Sequence, residues 1–363
     1  MNHKDIIVIH PYLKKSRLDK EYFLEEAINL VKAINLNCIY GSYAGLQNIN
    51  TKTYLNFGYI NNLKEIIQKN QVNLVLVNTN LSPIQHRNLE KELHCKILDR
   101  TGLILEIFGS RAKSNEGKLS VSLASLQFQK SRLVRSWTHL ERQRGGAGFM
   151  GGPGEKQIES DRRQLTEKIN NLKKKIKKII STRDNQRYRR KKNQMPTISI
   201  VGYTNSGKST LFNKLTNSSV ISKNMLFASL DSTIRKTFYN NFQFLIVDTV
   251  GFIRDLPTTL IDAFKSTLDE IVYSDLILHV QDISNKYFLE QKNEVIKILD
   301  EIGVEDSDNR IIEVVNKIDL SKNLNNFHNS LNKTTIFTSA LKGKGINKLK
   351  SVIYNRFLNQ NIN

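Results

Sequence analysis

The sequence predicts an α/β fold in three parts. A small parallel α/β domain (1–111) leads into an antiparallel basic helical arm with a glycine-rich tip (112–182), and a basic linker (183–195) connects the arm to a larger α/β domain (196–363). Three observations carry this prediction. Short β-branched runs alternate with helical patterns up to Arg111, as parallel strands joined by helices require. Two apolar stripes at helical spacing then flank a glycine-rich break. Beyond them, an apolar strand runs into a glycine loop that opens a helix.

In the first domain, Ile6-Ile7-Val8-Ile9 precedes a helical pattern over Lys20 to Ile34. Leu74-Val75-Leu76-Val77 precedes one over Ser82 to Leu93, and Lys96-Ile97-Leu98 one over Leu103 to Arg111. The stretch Gly41 to Tyr59, rich in Asn, Gly, Thr and Tyr, matches neither period and reads as a loop. The arm follows. Its first stripe is Leu119, Leu123, Leu126, Leu133, Trp137 and Leu140; its second is Leu165, Ile169, Leu172, Ile176 and Ile179. Between them lies Gly145-Gly146-Ala147-Gly148-Phe149-Met150-Gly151-Gly152-Pro153-Gly154.

The composition, 39% hydrophobic and 25% charged with 5 Pro and 18 Gly, excludes collagen-like, low-complexity and disordered classes. Lys and Arg number 55 against 34 acids, and the resulting +21 points to a polyanionic partner, either nucleic acid or an anionic membrane surface. Much of this charge is local: Arg162 to Lys192 carries 14 Lys or Arg against only Glu167 and Asp184. A solvated face would normally mix its signs, so a one-signed rod reads as a polyanion footprint. Its tail, Arg183 to Lys192, lacks an apolar stripe and reads as a flexible linker. Cys38 and Cys95 make neither a disulfide framework nor a zinc site and read as ordinary thiols of a reduced compartment. The seven histidines show no metal-ligand spacing. The apolar run near the start is too short for a signal segment and no later stretch reaches membrane length, so a cytoplasmic protein without membrane insertion is expected.

The chemistry concentrates in the last domain. Thr197 to Val201 reads as a strand, Gly202-Tyr203-Thr204-Asn205-Ser206-Gly207-Lys208-Ser209 as a loop, and Thr210 to Leu215 as a helix. This is a P-loop in its required context. Gly202 and Gly207 let backbone N–H groups face phosphates, Lys208 neutralises β and γ oxygens, and Ser209 offers a Mg²⁺ ligand. After the strand Phe244 to Val247 comes Asp248-Thr249-Val250-Gly251, where Asp248 can hold Mg²⁺ through water and the Gly251 N–H can sense a γ-phosphate. The strand Ile311 to Val315 ends in Asn316-Lys317-Ile318-Asp319, whose carboxylate matches the N1–H and 2-amino group that guanine has and adenine lacks. Ser339-Ala340-Leu341 reads as the loop that closes over the guanine carbonyl. The order of these motifs makes the nucleotide GTP or GDP and the class a P-loop GTPase.

At this point the chain resembles the translation-factor-like GTPases, and more narrowly the HflX family, over nearly its full length. The resemblance rests on Leu98-Asp99-Arg100-Thr101-Gly102-Leu103-Ile104-Leu105-Glu106-Ile107-Phe108, on Trp137-Thr138-His139-Leu140, on Gly152 to Arg163, and on Leu226-Phe227-Ala228-Ser229-Leu230-Asp231. It implies GTP hydrolysis, binding to the large (50S) ribosomal subunit and its rRNA, and splitting or rescue of stalled ribosomes. It also implies a monomer. Matching Leu226 to Asp231 to the family's first switch adds Phe227, Ala228, Ser229, Leu230 and Asp231 to the nucleotide site. Ser229 becomes a Mg²⁺ ligand and, with Lys208 and Gly251, a catalytic group; Thr233 is the competing hydroxyl. Phe252 stands where many small GTPases carry a water-orienting glutamine, which implies slow hydrolysis in isolation. Asn205 matches either an asparagine that helps hold K⁺ in related GTPases or a plain turn residue.

The chain also departs from the family pattern. The family's tip commonly reads Gly-Thr-Arg-Gly-Pro-Gly-Glu-Thr-Gln, while Gly148 to Gln157 lacks the Arg and gains Lys156; Phe149 and Met150 either stack on RNA or fold the tip on itself. The family's Gly-Ser-Gly-Lys in the first domain is missing, with Asn56-Phe57-Gly58-Tyr59-Ile60 near its place, which leaves open whether that domain binds a second nucleotide. Two rival functions stand beside ribosome splitting: a large-subunit assembly GTPase, and a non-catalytic RNA-binding regulator that responds to GTP.

Overall fold

A computed structural model of the chain describes residues 4–15, 19–141, 153–193, 195–217, 227, 232–321 and 335–360. The chain divides into two compact units, Met1–Ser110 with Leu119–Lys175 and Arg111–Lys118 with Ile176–Asn363, so the division falls inside both long helices of the arm.

The first unit opens with β1 (Asp5–Leu13), α1 (Lys20–Ala33), β2 (Asn37–Leu46), α2 (Phe57–Asn70), β3 (Leu74–Val77), α3 (Pro83–Leu93), β4 (Lys96–Asp99) and α4 (Arg100–Arg111). Its sheet is wholly parallel in the order β2-β1-β3-β4. The continuous apolar runs of β1 and β3 follow from burial on both faces. Helix starts are chemically marked: Asp19 accepts from the N–H groups of Glu21 and Tyr22, and Ser82 and Gln85 form a reciprocal capping box with Pro83 at the first helical position.

The stretch Gly41 to Tyr59 is not a loop throughout. β2 runs beside β1 from Asn37 to Leu46, and α2 begins at Phe57. The strand signal is weak because β2 is an edge strand with Gly41 and Gly45 within it and with Ile39, Tyr40 and Tyr43 turned to solvent. Gly58 dilutes the helix signal in the same way.

Helix α5 covers Asn115–Glu141 and α6 covers Pro153–Lys192. On the expected stripes, Leu123, Ile169 and Ile176 are buried, while Leu119, Leu126, Leu133, Leu165, Leu172 and Ile179 are half-buried. Most of the glycine-rich tip, including Phe149 and Met150, lies outside the described residues. The expected flexible linker over Arg183 to Lys192 is helical, the last turns of α6. The inward stripe continues from Ile179 at spacings of four, four and three, but as arginines. Arg183, Arg187 and Arg190 reach carboxylates where the preceding turns present Leu and Ile, which is why no apolar stripe is visible in the sequence.

The second unit continues with β5 (Thr197–Gly202), α7 (Lys208–Thr216), β6 (Thr233–Tyr239), β7 (Phe242–Asp248), α8 (Thr258–Ala263), α9 (Lys265–Val272), β8 (Leu276–Asp282), α10 (Phe288–Glu301), β9 (Ile311–Asn316), β10 (Ile336–Phe337) and α11 (Ile346–Gln360). The sheet order is β10-β9-β8-β5-β7-β6, parallel except for β6 against β7. Ile198, Ile200, Leu278 and Val280 pack with Leu211 and Phe212 of α7 and with Leu349, Ile353 and Phe357 of α11. β5 lies at the centre of the sheet, and ligands of such sheets bind outside the carboxyl ends of the central strands. Among the described residues no helix is long and apolar enough to cross a membrane.

Candidate functional site

The loop after β5 is shaped by two glycines that nothing else can replace. Gly202 has φ 151°, and a Cβ there would lie 2.2 Å from the Val280 carbonyl oxygen; Gly207 has φ 94°, and a Cβ would lie 2.2 Å from Asn316 Nδ2. Between them, Asn205 also takes a left-handed conformation at φ 63°. Lys208 opens α7, is buried, and donates from Nζ to the Tyr203 carbonyl at 2.8 Å. Burial pushes its pKa down to about 8 against the opposing pull of Asp248. Ser209 Oγ donates to Asp248 Oδ2 at 2.7 Å, so the expected metal-binding oxygens from β7 and α7 converge.

The Asp248-Thr249-Val250-Gly251 loop is held on the same floor. Thr249 Oγ1 donates to the Ile200 carbonyl at 2.6 Å, and Val250 is buried. A Cβ on Gly251 would lie 2.9 Å from both Lys208 Nζ and Thr204 Cγ2. Phe252 is 1% exposed and bridges to the P-loop by backbone: its N–H donates to Gly202 O at 3.1 Å, and its carbonyl accepts from Thr204 N–H at 2.7 Å. Tyr203 extends this bridge, its hydroxyl accepting from the Arg254 N–H at 3.1 Å.

The remaining motifs meet through Asn316. Its Nδ2 donates to Ser206 O at 3.0 Å, while its Oδ1 accepts from Thr338 Oγ1 at 3.2 Å and Ala340 N–H at 2.9 Å. One side chain thus ties the P-loop to the Ser339-Ala340-Leu341 loop. Lys317, at φ 63°, pairs with Asp282 Oδ2 at 2.6 Å, and the Ile318 N–H donates to Thr338 O. A hydrogen bond from Ser339 holds the Asp319 carboxyl below the usual carboxylate range. Leu341 projects outward, 73% exposed. Phe227 is buried at φ 55°, whereas Ala228, Ser229, Leu230 and Asp231 lie outside the described residues. Thr233 is the first residue of β6, paired with Asp248.

Two groups of residues escape the motif reading. Asp282 sits at the end of β8 as the partner of Lys317; its signal was its place at a strand's carboxyl end. Glu270 of α9, 3% exposed, accepts from Arg187 Nε at 3.1 Å and Arg190 Nη2 at 2.8 Å. Arg187 also lies over the Tyr273 ring at 4.9 Å. Arg183 pairs with Glu116 at 2.7 Å and reaches Ser232 Oγ at 3.4 Å. No local signal announces these pairs, because their partners lie far away in sequence.

Three family models match consecutive parts of the chain: a GTP-binding GTPase N-terminal region over 21–109, a GTP-binding GTPase middle region over 111–190 and a 50S ribosome-binding GTPase domain over 197–317. The GTPase HflX of Magnetococcus marinus is 44% identical over 330 residues, spanning 90% of this chain and 76% of that protein. The chain belongs to the HflX GTPase family. The Escherichia coli GTPase HflX is 38% identical over 357 residues, 96% of this chain and 82% of its own. Among solved structures, SsGBP in complex with GDP matches with a TM-score of 0.55 and 28% identity, covering 97% of this chain and 98% of that one. This HflX-family protein is accordingly a GTPase with an α/β P-loop fold, and its C-terminal domain is of the 50S ribosome-binding class.

Proposed function

We propose that this HflX-family GTPase is a cytoplasmic monomer that binds the large ribosomal subunit and its rRNA through the basic arm, and that GTP drives it to split or rescue stalled ribosomes. The observation that carries this reading is the fixation of α6 at its C-terminal end. Arg187 and Arg190 clamp Glu270 on the helix pair that follows Gly251, and Arg183 reaches Ser232, directly after the proposed first switch. Nucleotide-dependent movement at either place bears on one rod, whose exposed Arg162, Arg163, Lys168, Lys173, Lys174, Lys175, Lys177 and Lys178 suit an RNA backbone.

In the site, Gly202 to Gly207 present N–H groups to the phosphates, and Lys208 leaves the Tyr203 carbonyl for the β and γ oxygens. Asn316, Lys317 and Asp319 receive the guanine with the loop at Ser339 to Leu341. The Ser209 and Asp248 oxygens, 2.7 Å apart and both hard donors, fit Mg²⁺, and Ser229 would complete its protein ligands. When bound, that ion neutralises charge between the β and γ phosphates. Gly251 senses the γ-phosphate through its N–H.

GTP turnover measured with and without purified large subunits, in K⁺ and in Na⁺, tests this together with sedimentation of joined ribosomes in the same samples. Stimulated turnover with GTP-dependent separation is expected. Binding confined to immature subunits would favour the assembly role instead, and turnover indifferent to ribosomes would favour the regulator. Loss of turnover in Na⁺ would show a K⁺ requirement, for which Asn205 is the candidate ligand.

A further inference from the structure

Phe252 cannot order a water: its side chain has no polar atom, is buried, and its backbone is clamped to Gly202 and Thr204. The groups that meet at the γ-phosphate end can be read from Gly251, whose Cβ would touch Lys208 Nζ, Thr204 Cγ2 and, at 3.1 Å, Thr204 Cα. The hydroxyls around this point are mostly engaged. Tyr203 accepts from Arg254, Ser209 donates to Asp248, and Thr249 donates to Ile200. Ser206 Oγ has no hydrogen-bond partner but faces the strand side of the loop, 3.1 Å from where a Gly202 Cβ would stand. Thr204 Oγ1 is the other buried hydroxyl among the described residues with no partner, and Thr204 is 5% exposed. Burying a hydroxyl without a hydrogen bond is costly, and such atoms mark places where a ligand completes the site.

We propose that Thr204 is a catalytic residue, its hydroxyl holding the attacking water in place of the side chain that Phe252 lacks. A rotation of about 120° around Cα–Cβ brings Oγ1 to the staggered position that the methyl beside Gly251 now holds, the methyl moving to the place of the Cβ hydrogen. The hydroxyl accepts a hydrogen bond from water and donates its own hydrogen to a γ-phosphate oxygen; threonine loses no proton. The water oxygen bonds to the γ-phosphorus as the bond to the β,γ-bridging oxygen breaks and its electron pair departs with GDP. The water's proton ends on the released phosphate. This role rests on the GTP hydrolysis of the family and deepens it.

Thr204→Val keeps the branched shape and removes the hydroxyl, while Thr204→Ser keeps the hydroxyl. Single-turnover GTP hydrolysis by the isolated full chain is measured beside affinity for GDP and a non-hydrolysable GTP analogue. The expected result for Thr204→Val is a rate about tenfold or more below wild type, with both affinities within about threefold. Thr204→Ser stays within about threefold in rate. A wild-type rate in Thr204→Val, or equal losses of rate and affinity in both variants, would overturn the proposal. A wild-type chain that hydrolyses no GTP would overturn the hydrolytic reading itself.

Discussion

Two buried polar clusters occupy equivalent places, the carboxyl ends of parallel strands, and differ in which polar atoms they leave over. In the first unit the carboxylates and the amide are tied to guanidinium groups, and what the cluster leaves over are the Nε atoms of Arg100 and Arg132. Arg100 pairs with Glu26 at 3.2 Å and donates to Asn78 Oδ1 at 2.9 Å; Asn78 meets His10; and Asp99 accepts from Gly102 N–H and pairs with Arg132 at 2.7 Å. In the second unit the equivalent space is walled by glycines, and the hydroxyls of Thr204 and Ser206 are left without partners. A cluster whose charges are paired with one another holds a fold together; one that leaves hydroxyls over beside a glycine-walled space suits a ligand. Asp99 and Arg100 of the Leu98 to Phe108 signature thus contribute ion pairs to the packing of this unit.

The comparison breaks most severely at Arg100. Arg100→Ala breaks the buried pair with Glu26 and is expected to cost about 3–5 kcal/mol in denaturant unfolding of the first unit, with GDP affinity unchanged. Equal stability would mean that the knot is not structural. Within the second unit, burial pushes His279 down to about 3, Lys292 and Lys208 adding to the effect. The unfolded chain takes up that proton first, so this contribution is whole above pH 6.5 and is lost as pH falls toward 3, with a slope of up to about 1.4 kcal/mol per pH unit. Thermal unfolding of His279→Asn should therefore flatten over this window relative to wild type.

In the proposed site, Lys208 would bind phosphates as the ammonium. Below its pKa of about 8 the free protein already carries that proton, and GDP affinity is flat; above it, binding must take up a proton, and affinity falls by up to about tenfold per pH unit. Calorimetry in buffers of different ionisation enthalpy reads this uptake directly. The smallest effect belongs to the exposed rod. Replacing Lys174 by Ala should lower the slope of log affinity for RNA against log salt by less than about one.

The sequence marks the loops of the candidate site better than their supports. Gly202 to Ser209, Asp248 to Gly251 and Asn316 to Asp319 were legible because each sits where a strand ends, a local pattern that needs no knowledge of the partner. The Asn316 tie to Ser206 and Ala340 was not legible, because it spans elements that meet only in the fold. β2 was hidden because an edge strand has one side in solvent, and its Tyr and Gly residues do not alternate as an apolar run would. The helical nature of Arg183 to Lys192 was hidden for a related reason: the stripe that marks a buried helix face is read from apolar residues, and here arginine takes its place against Glu116 and Glu270.

That arginine stripe is where the account can be tested most directly. Glu270→Gln keeps the side-chain shape and removes the charge that Arg187 and Arg190 share. The measurement is affinity for purified large subunits in GTP analogue and in GDP, beside intrinsic turnover. The account predicts tight, analogue-dependent binding by wild type. In Glu270→Gln the difference between the two nucleotides should collapse by about tenfold, with intrinsic turnover within about threefold of wild type. Full nucleotide discrimination in Glu270→Gln would contradict it.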